Sequence, residues 1–229
     1  MESTGVWEWI YEFLEEQKYN VILANPIRTK AIASAKIKTD KIDASILADL
    51  LRANLVAQSY VPPKEIRIMR QLTRQRKTLV KGRTEISNKI HALLAQRGIN
   101  LPWTTFCKKA LLWLKELSKE QPLIKSYLHL RDQFTQEITK VNGEIFGYTE
   151  QDEHAQLLMT IPGIGSRRAL ELLAEIGEWD RFPDSNKLCC YAGLVPSIRQ
   201  SGSTLKFGGL IKQANTSIKY VLVEASWNI

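Results

Sequence analysis

Cysteine and histidine are scarce in this sequence, and their spacing excludes most of what they could build. Cys107, Cys189 and Cys190 contain no Cys-x-x-Cys pair, so neither a disulfide framework nor a zinc ribbon is available, and the pattern suits a reducing compartment. His91, His129 and His154 fall in no His-Glu-x-x-His arrangement, which argues against a His-bound zinc. No run approaches the roughly 18–20 continuous apolar residues of a membrane span, and residues 1–6 lack the basic-then-apolar start of a secretory signal. Internal repeats and low-complexity tracts are missing too. A soluble, cytoplasmic protein is expected, and 44% hydrophobic residues in a chain of 229 give ordinary globular composition.

Acidic residues are in deficit, and the deficit is local. The chain has 32 Lys+Arg against 24 Asp+Glu, a formal net charge of +8. Residues 64–97 hold ten basic residues and two acidic ones, so this one segment carries the whole excess. Concentrated positive charge suits a polyphosphate, because each neutralised phosphate releases counterions. Within the segment Leu72, Leu79, Ile86 and Leu93 recur every seven residues, with Met69 and Ile90 on the adjoining seam and Arg76 and Arg83 between them. The pattern predicts one long helix with a narrow apolar stripe, whose Arg67, Arg70, Arg74, Lys77 and Lys81 are candidate nucleic-acid contacts. The alternative is a solvated face that only aids solubility.

Before this helix, Val6, Trp9, Ile10, Phe13 and Leu14 follow helical spacing over residues 6–18. Residues 20–24 read as a short buried strand closed by Asn25-Pro26, and a second helix follows Thr39 with Ile42, Ile46, Leu47, Leu50 and Leu51 on one face. This alternation predicts part of an α/β domain with a parallel sheet. After Pro62-Pro63 the chain reads as helical to about Gly147, broken near residues 98–102 and at Pro122. The second arm, through Tyr127, Leu130, Phe134, Ile138, Val141 and Ile145, is placed to fold back antiparallel on the first. A polar link at residues 149–153 leads to a glycine-rich third region. The expected domains are thus residues 1–61, 62–149 and 150–229.

Asp40 and Asp43, three apart at a helix start, emerge on one face, and Glu2 lies just ahead of the first helix, where sites collect at strand ends in α/β units. Three converging carboxylates suit Mg²⁺. Aspartates at a helix start also act as caps, so both readings stand. Further on, Ile161-Pro162-Gly163-Ile164-Gly165 joins two short helices in the pattern of a helix-hairpin-helix, where glycines let backbone N–H groups approach a phosphate, with Arg167 and Arg168 at the same end. A turn used only for packing would look alike. Ser201 sits beside Gly202 among basic residues that include Lys206 and Lys212. Its hydroxyl could reach a phosphodiester once activated, and Ser-Gly is equally a turn pair.

Taken in order, Glu2-Ser3-Thr4-Gly5, Lys38-Thr39-Asp40-Lys41-Ile42-Asp43-Ala44, Ile161-Pro162-Gly163-Ile164-Gly165, Tyr191-Ala192-Gly193-Leu194-Val195-Pro196, Ser201-Gly202 and Lys212-Gln213-Ala214-Asn215 resemble the DEDD-type insertion-sequence transposases, described as bridge-RNA-guided serine recombinases. The resemblance implies a RuvC-like (RNase H-like) domain, a helical coiled-coil insertion and a carboxyl-terminal transposase domain. It implies that Glu2, Asp40 and Asp43 are three of four acids binding Mg²⁺, and that Ser201 is the nucleophile that links covalently to DNA. A structured guide RNA, DNA, and a homo-oligomer, dimer or tetramer, with composite sites are its implied partners. In the family the first aspartate lies upstream of the Glu-x-Thr-Gly motif and further helices follow the last matched region, so the chain reads as truncated at both ends. Gln213-Ala214 stands where Arg-Gly is usual. The competing expectation is an inactive remnant that only binds nucleic acid, and a purely helical interaction protein is a third.

Overall fold

A computed structural model describes residues 1–3, 5–33, 39–103, 106–202 and 204–228, which divide into two units, Met1–Pro62 and Pro63–Ile229. Thr4 and Lys38, which belong to two of the motifs above, lie outside the described residues. None of the described helices is long and apolar enough to cross a membrane.

The first unit holds three helices, α1 (Trp7–Glu16), α2 (Pro26–Ile32) and α3 (Asp40–Arg52). The expected strand at residues 20–24 shrinks to one paired residue. Ala24 bridges Glu2 in parallel and Gln58 antiparallel, through Ser3 N–H to the Ala24 carbonyl at 3.0 Å and Asn25 N–H to the Ala57 carbonyl at 2.7 Å. The parallel α/β sheet is therefore reduced here to isolated bridges among the described residues. Asn25-Pro26 starts a helix where a stop was expected. The Asn25 side chain accepts from Arg28 N–H and Pro26 occupies the first turn, where its missing N–H costs nothing. In α1 the apolar spacing is helical as read, but Val6, Trp9 and Phe13 are exposed and no residue of the helix is buried.

The second unit is built on two long helices, α4 (Lys64–Gln96) and α6 (Pro122–Gln151), with α5 (Lys108–Leu117) between them. Their pairing is antiparallel. Leu72 packs with Val141 and Ile145 in one cluster, and Ile90 and Leu94 with Ile124 and Leu128 in another. Of the expected apolar stripe, Leu72 and Ile90 are buried and Met69, Leu79, Ile86 and Leu93 are half-buried against the same clusters. Leu94, outside the expected stripe, is buried with them, and one of the two arginines in the seam finds a partner: Arg76 Nε donates to Asn142 Oδ1 at 2.6 Å. Gly82 lies inside α4 despite the roughly 1 kcal/mol that glycine costs in a helix interior. A Cβ there would come within 2.7 Å of the Phe134 ring, so any larger residue would have to displace that ring.

Beyond them come α7 (Glu153–Met159), α8 (Ser166–Ile176), a single 3-10 turn at Trp179–Arg181, α9 (Ser185–Ala192), a hairpin of β1 (Pro196–Ser201) and β2 (Thr204–Leu210), and α10 (Thr216–Ser226). The polar link expected at residues 149–153 is mostly helix. Only Asp152 separates α6 from α7, and its carboxylate caps α7 by accepting from Ala155 N–H at 2.8 Å. The hairpin was not expected, because its strands are exposed almost throughout and show no alternation. Helix α8 is the hub. Leu170 joins the α4/α6 cluster, while Ala169, Leu172, Leu173 and Ile176 join a separate core with Ile218, Val221 and Ala225 of α10.

Candidate functional site

Arg67, Arg70, Arg74, Lys77 and Lys81 recur at steps of three and four and so share one face of α4. Part of that face is turned inward, onto the end of α8. A helix end leaves unpaired carbonyls and a partial negative charge. Arg70 meets both, donating from Nε to the Ala174 carbonyl at 2.6 Å and from Nη2 to the Glu175 carbonyl at 3.1 Å. Arg74 reaches the Glu175 carboxylate at 3.2 Å. Arg70 thus serves the fold, Arg74 pairs with Glu175 while its side chain stays 65% exposed, and Lys77 and Lys81 are exposed, Lys77 with its ammonium 5.7 Å from the centre of the Tyr220 ring.

Glu175 was not singled out in the sequence. It is 5% exposed, receives Arg74, and accepts from Asn215 Nδ2 at 2.8 Å, while Tyr191 donates its hydroxyl to the Glu175 carbonyl at 3.3 Å. Asn215 in turn caps α10 by accepting from Ser217 and Ile218 N–H groups. The only hint in the sequence is a carboxylate among the apolar residues of α8.

The Gly163–Gly165 turn joins α7 to α8. Gly163 has φ +81°, and a Cβ on it would lie 2.7 Å from the Ala225 carbonyl oxygen, so packing against α10 requires this glycine. Gly165, ahead of α8, faces open space. Arg168 holds the turn from inside, donating to the Gly163 carbonyl and approaching Glu224 at 3.4 Å, whereas Arg167 is exposed. Gly163→Ala is expected to cost about 2–3 kcal/mol from the left-handed backbone and the clash with backbone. Gly165→Ser, which adds a capping hydroxyl in open space, should stay within about 0.5 kcal/mol of the parent. Urea unfolding of both variants checks the contrast.

Between α4, α6, the start of α8 and α10 lie two adjoining cavities of about 240 and 360 Å³, which share Arg76, Arg167, Arg168 and Ile145 in their walls. Lys77, Arg83, Glu171 and Tyr220 line the first. Burial, then the nearby Arg167 and Arg83, lower the pKa of the Arg76 guanidinium from its ordinary value. Burial also raises the Glu171 carboxyl above the usual carboxylate range, opposed by Lys77.

Ser201 ends β1 at the tip of the hairpin, exposed, beside Gly202 with φ +57°. Across the strands Arg199 pairs with Lys206, so the tip is flanked by two cations, and Lys212 is exposed in the link to α10. The carboxylates belong to the other unit. Asp40 and Asp43 occupy the first turn of α3, whose cap is neither of them but Thr39, with Oγ1 accepting from Ile42 N–H at 3.3 Å. Glu2 lies at the bridge with Ala24. Among the described residues no group of three or more His, Cys, Asp or Glu side chains is placed to hold a metal ion, so the trio does not converge in this structure.

Comparison with known proteins explains the order of these parts. A model of the IS110-type DEDD domain, described as transposase, matches residues 1–98, and one for the transposase IS116/IS110/IS902 family matches residues 155–229. The chain is 25% identical over 232 residues to the transposase for insertion sequence element IS1328 of Yersinia enterocolitica, covering 99% of this chain and 69% of that protein. It is 29% identical over 217 residues to the pilin gene-inverting protein of Moraxella bovis, covering 90% of this chain and 58% of that one. Against the transposase for insertion sequence element IS1111A of Coxiella burnetii it is 26% identical over 201 residues, covering 82% and 54%. The chain thus spans little more than half the length of several of the relatives it matches. With both ends of one transposase type matched in order, the chain belongs to the IS110-type family of DEDD transposases.

Proposed function

We propose that the protein is a transposase or recombinase that cleaves and rejoins DNA strands during insertion-sequence transposition, with Ser201 as nucleophile and a structured RNA as guide. The observation that carries this reading is the exposed hairpin tip, where the Ser201 hydroxyl stands in the field of Arg199 and Lys206. Attack by Oγ on a backbone phosphorus forms a Ser–O–P bond, with the hydroxyl proton passing to solvent, and breaks the bond to a 3′ or 5′ oxygen, which takes up a proton from solvent. The cations flanking the tip would stabilise the charge that develops on the phosphoryl oxygens. Nucleic acid is assigned to the outward cations, Lys77, Lys81, Arg167, Lys206 and Lys212, together with Arg67 and the Gly163–Gly165 turn, read as a helix-hairpin-helix. The three-part organisation proposed is a RuvC-like region at residues 1–61, a coiled-coil region at 62–149 and a transposase domain at 150–229.

Mg²⁺ is the cofactor proposed, and it would supply charge neutralisation at the phosphate. Glu2, Asp40 and Asp43 do not gather into a metal-holding group here, so no step is assigned to it. A homo-oligomer, dimer or tetramer, is proposed as the working form.

The test is to incubate the protein with supercoiled DNA carrying its element and the RNA transcribed from the element's ends, then denature with detergent. A DNA-linked species that survives denaturation and disappears with protease is expected. Salt-sensitive binding with no such species under any metal condition would favour the second reading, a module that only binds nucleic acid.

A further inference from the structure

The cavity beside α8 contains more positive charge than the fold uses. Arg76 spends one donor on Asn142, and Arg168 is committed to Gly163 and Glu224. Among the described residues neither Arg83 nor Arg167 is paired with a carboxylate, yet both lie close enough to Arg76 to act on its charge. One carboxylate, Glu171, shares the space. Like charges brought together around a cavity without matching anions cost free energy unless an anion enters.

The space is large enough to admit one. At about 240 Å³ it is many times the roughly 30 Å³ that a water occupies in the liquid. Guanidinium groups present planar pairs of donors that suit phosphate oxygens. The Arg167 side chain adds a cation from the first turn of α8, where the helix dipole is positive.

We propose that this cleft seats one backbone phosphate of a nucleic acid, gripped by Arg76, Arg83 and Arg167, with Glu171 as the resident counter-ion that holds the cations in place when the seat is empty. The inference rests on the reading of nucleic acid as the partner and adds a specific site to it, built on two arginines, Arg76 and Arg83, that the apolar seam of α4 turns toward the cavity. The phosphodiester is the recognised group, and it is common to RNA and DNA.

The test measures fluorescence anisotropy of a labelled single-stranded RNA and a labelled DNA duplex of equal length, titrated with the protein from about 50 to 200 mM salt. Arg76→Gln and Arg167→Gln should each weaken the complex about tenfold. If both grip one phosphate, the double variant loses little more than either single one. Its salt slope drops by about 0.9 for duplex or about 0.7 for single strand, one phosphate in all. Glu171→Gln should tighten binding by about threefold, because an anion next to the incoming phosphate is removed. Lys119→Gln, the same charge change on an exposed residue outside the cleft, serves as control and should change nothing. The arm that shows the loss identifies the source of the phosphate.

Single losses that multiply to about a hundredfold in the double variant would overturn the shared seat, as would variants indistinguishable from the control or a weaker complex with Glu171→Gln. Because Arg76 also bonds Asn142, Arg167→Gln, at an exposed position, decides the matter if Arg76→Gln fails to fold. Wild-type protein that binds neither nucleic acid at the lowest salt would instead sink the reading of nucleic acid as partner, and the seat with it.

Discussion

Ser201→Ala is expected to abolish the proposed covalent attachment to DNA while leaving the hairpin and any nucleic-acid affinity intact. The expected fall in adduct is on the order of 10³-fold or more, since alanine has no oxygen with which to form the ester bond. Ser201 is exposed and pairs with Thr204 through the backbone, so removing its hydroxyl deletes no buried contact. Stability should change by less than about 0.5 kcal/mol. Detergent-resistant adduct, scored on a gel beside an anisotropy measurement, separates the two effects. An adduct of normal yield in the alanine variant would transfer the nucleophile to another residue, and peptide mapping of the linked species would name it.

Glu175→Ala should be among the most damaging single substitutions outside the apolar cores. The carboxylate is buried, and removing it strands the Asn215 amide, releases Arg74 and leaves a cavity. A loss of roughly 2–4 kcal/mol is expected. Glu175→Gln keeps an acceptor for Asn215 and should cost about 1 kcal/mol, while Arg74→Gln, at a side chain 65% exposed, should cost less than that. Denaturant unfolding of the three variants checks the ranking. The damage should also spread, because Asn215 caps α10 and its N–H bonds the Tyr191 carbonyl at 2.8 Å, tying the two ends of the segment that carries the hairpin. Equal costs for Glu175→Ala and Arg74→Gln would show that the ion pair alone matters.

What could be read from the sequence was governed by locality. The period of Leu72, Leu79, Ile86 and Leu93 announces α4 because a helix is decided within a few turns, and Pro122 announces the start of α6 for the same reason. The exposed hairpin had no such signal. Its strands bury no face, so alternation is missing, and Gly202, Gly208 and Gly209 read as loop. Asn25-Pro26 looked like a stop because the same two residues serve turns and helix caps equally well. The charges were the hardest to read. Composition located the excess in α4, yet Arg70 and Arg74 meet partners about a hundred positions away, and only the packing of α8 against α4 shows which cations have partners within the fold. The carboxylates of the first unit were legible as residues but not as a cluster, since convergence depends on strands that are reduced here to bridges.

The length of α4 has a consequence of its own. At 1.5 Å per residue its 33 residues make a rod of about 50 Å, close to one and a half turns of a double helix at about 34 Å per turn. Separate apolar clusters fasten it to α6 near both ends, at Leu72 and at Ile90 and Leu94, so the rod resists bending between them. A duplex laid along it would meet a straightedge of fixed length, and a protection pattern cut by hydroxyl radicals should show a footprint of about fifteen base pairs with sharp limits.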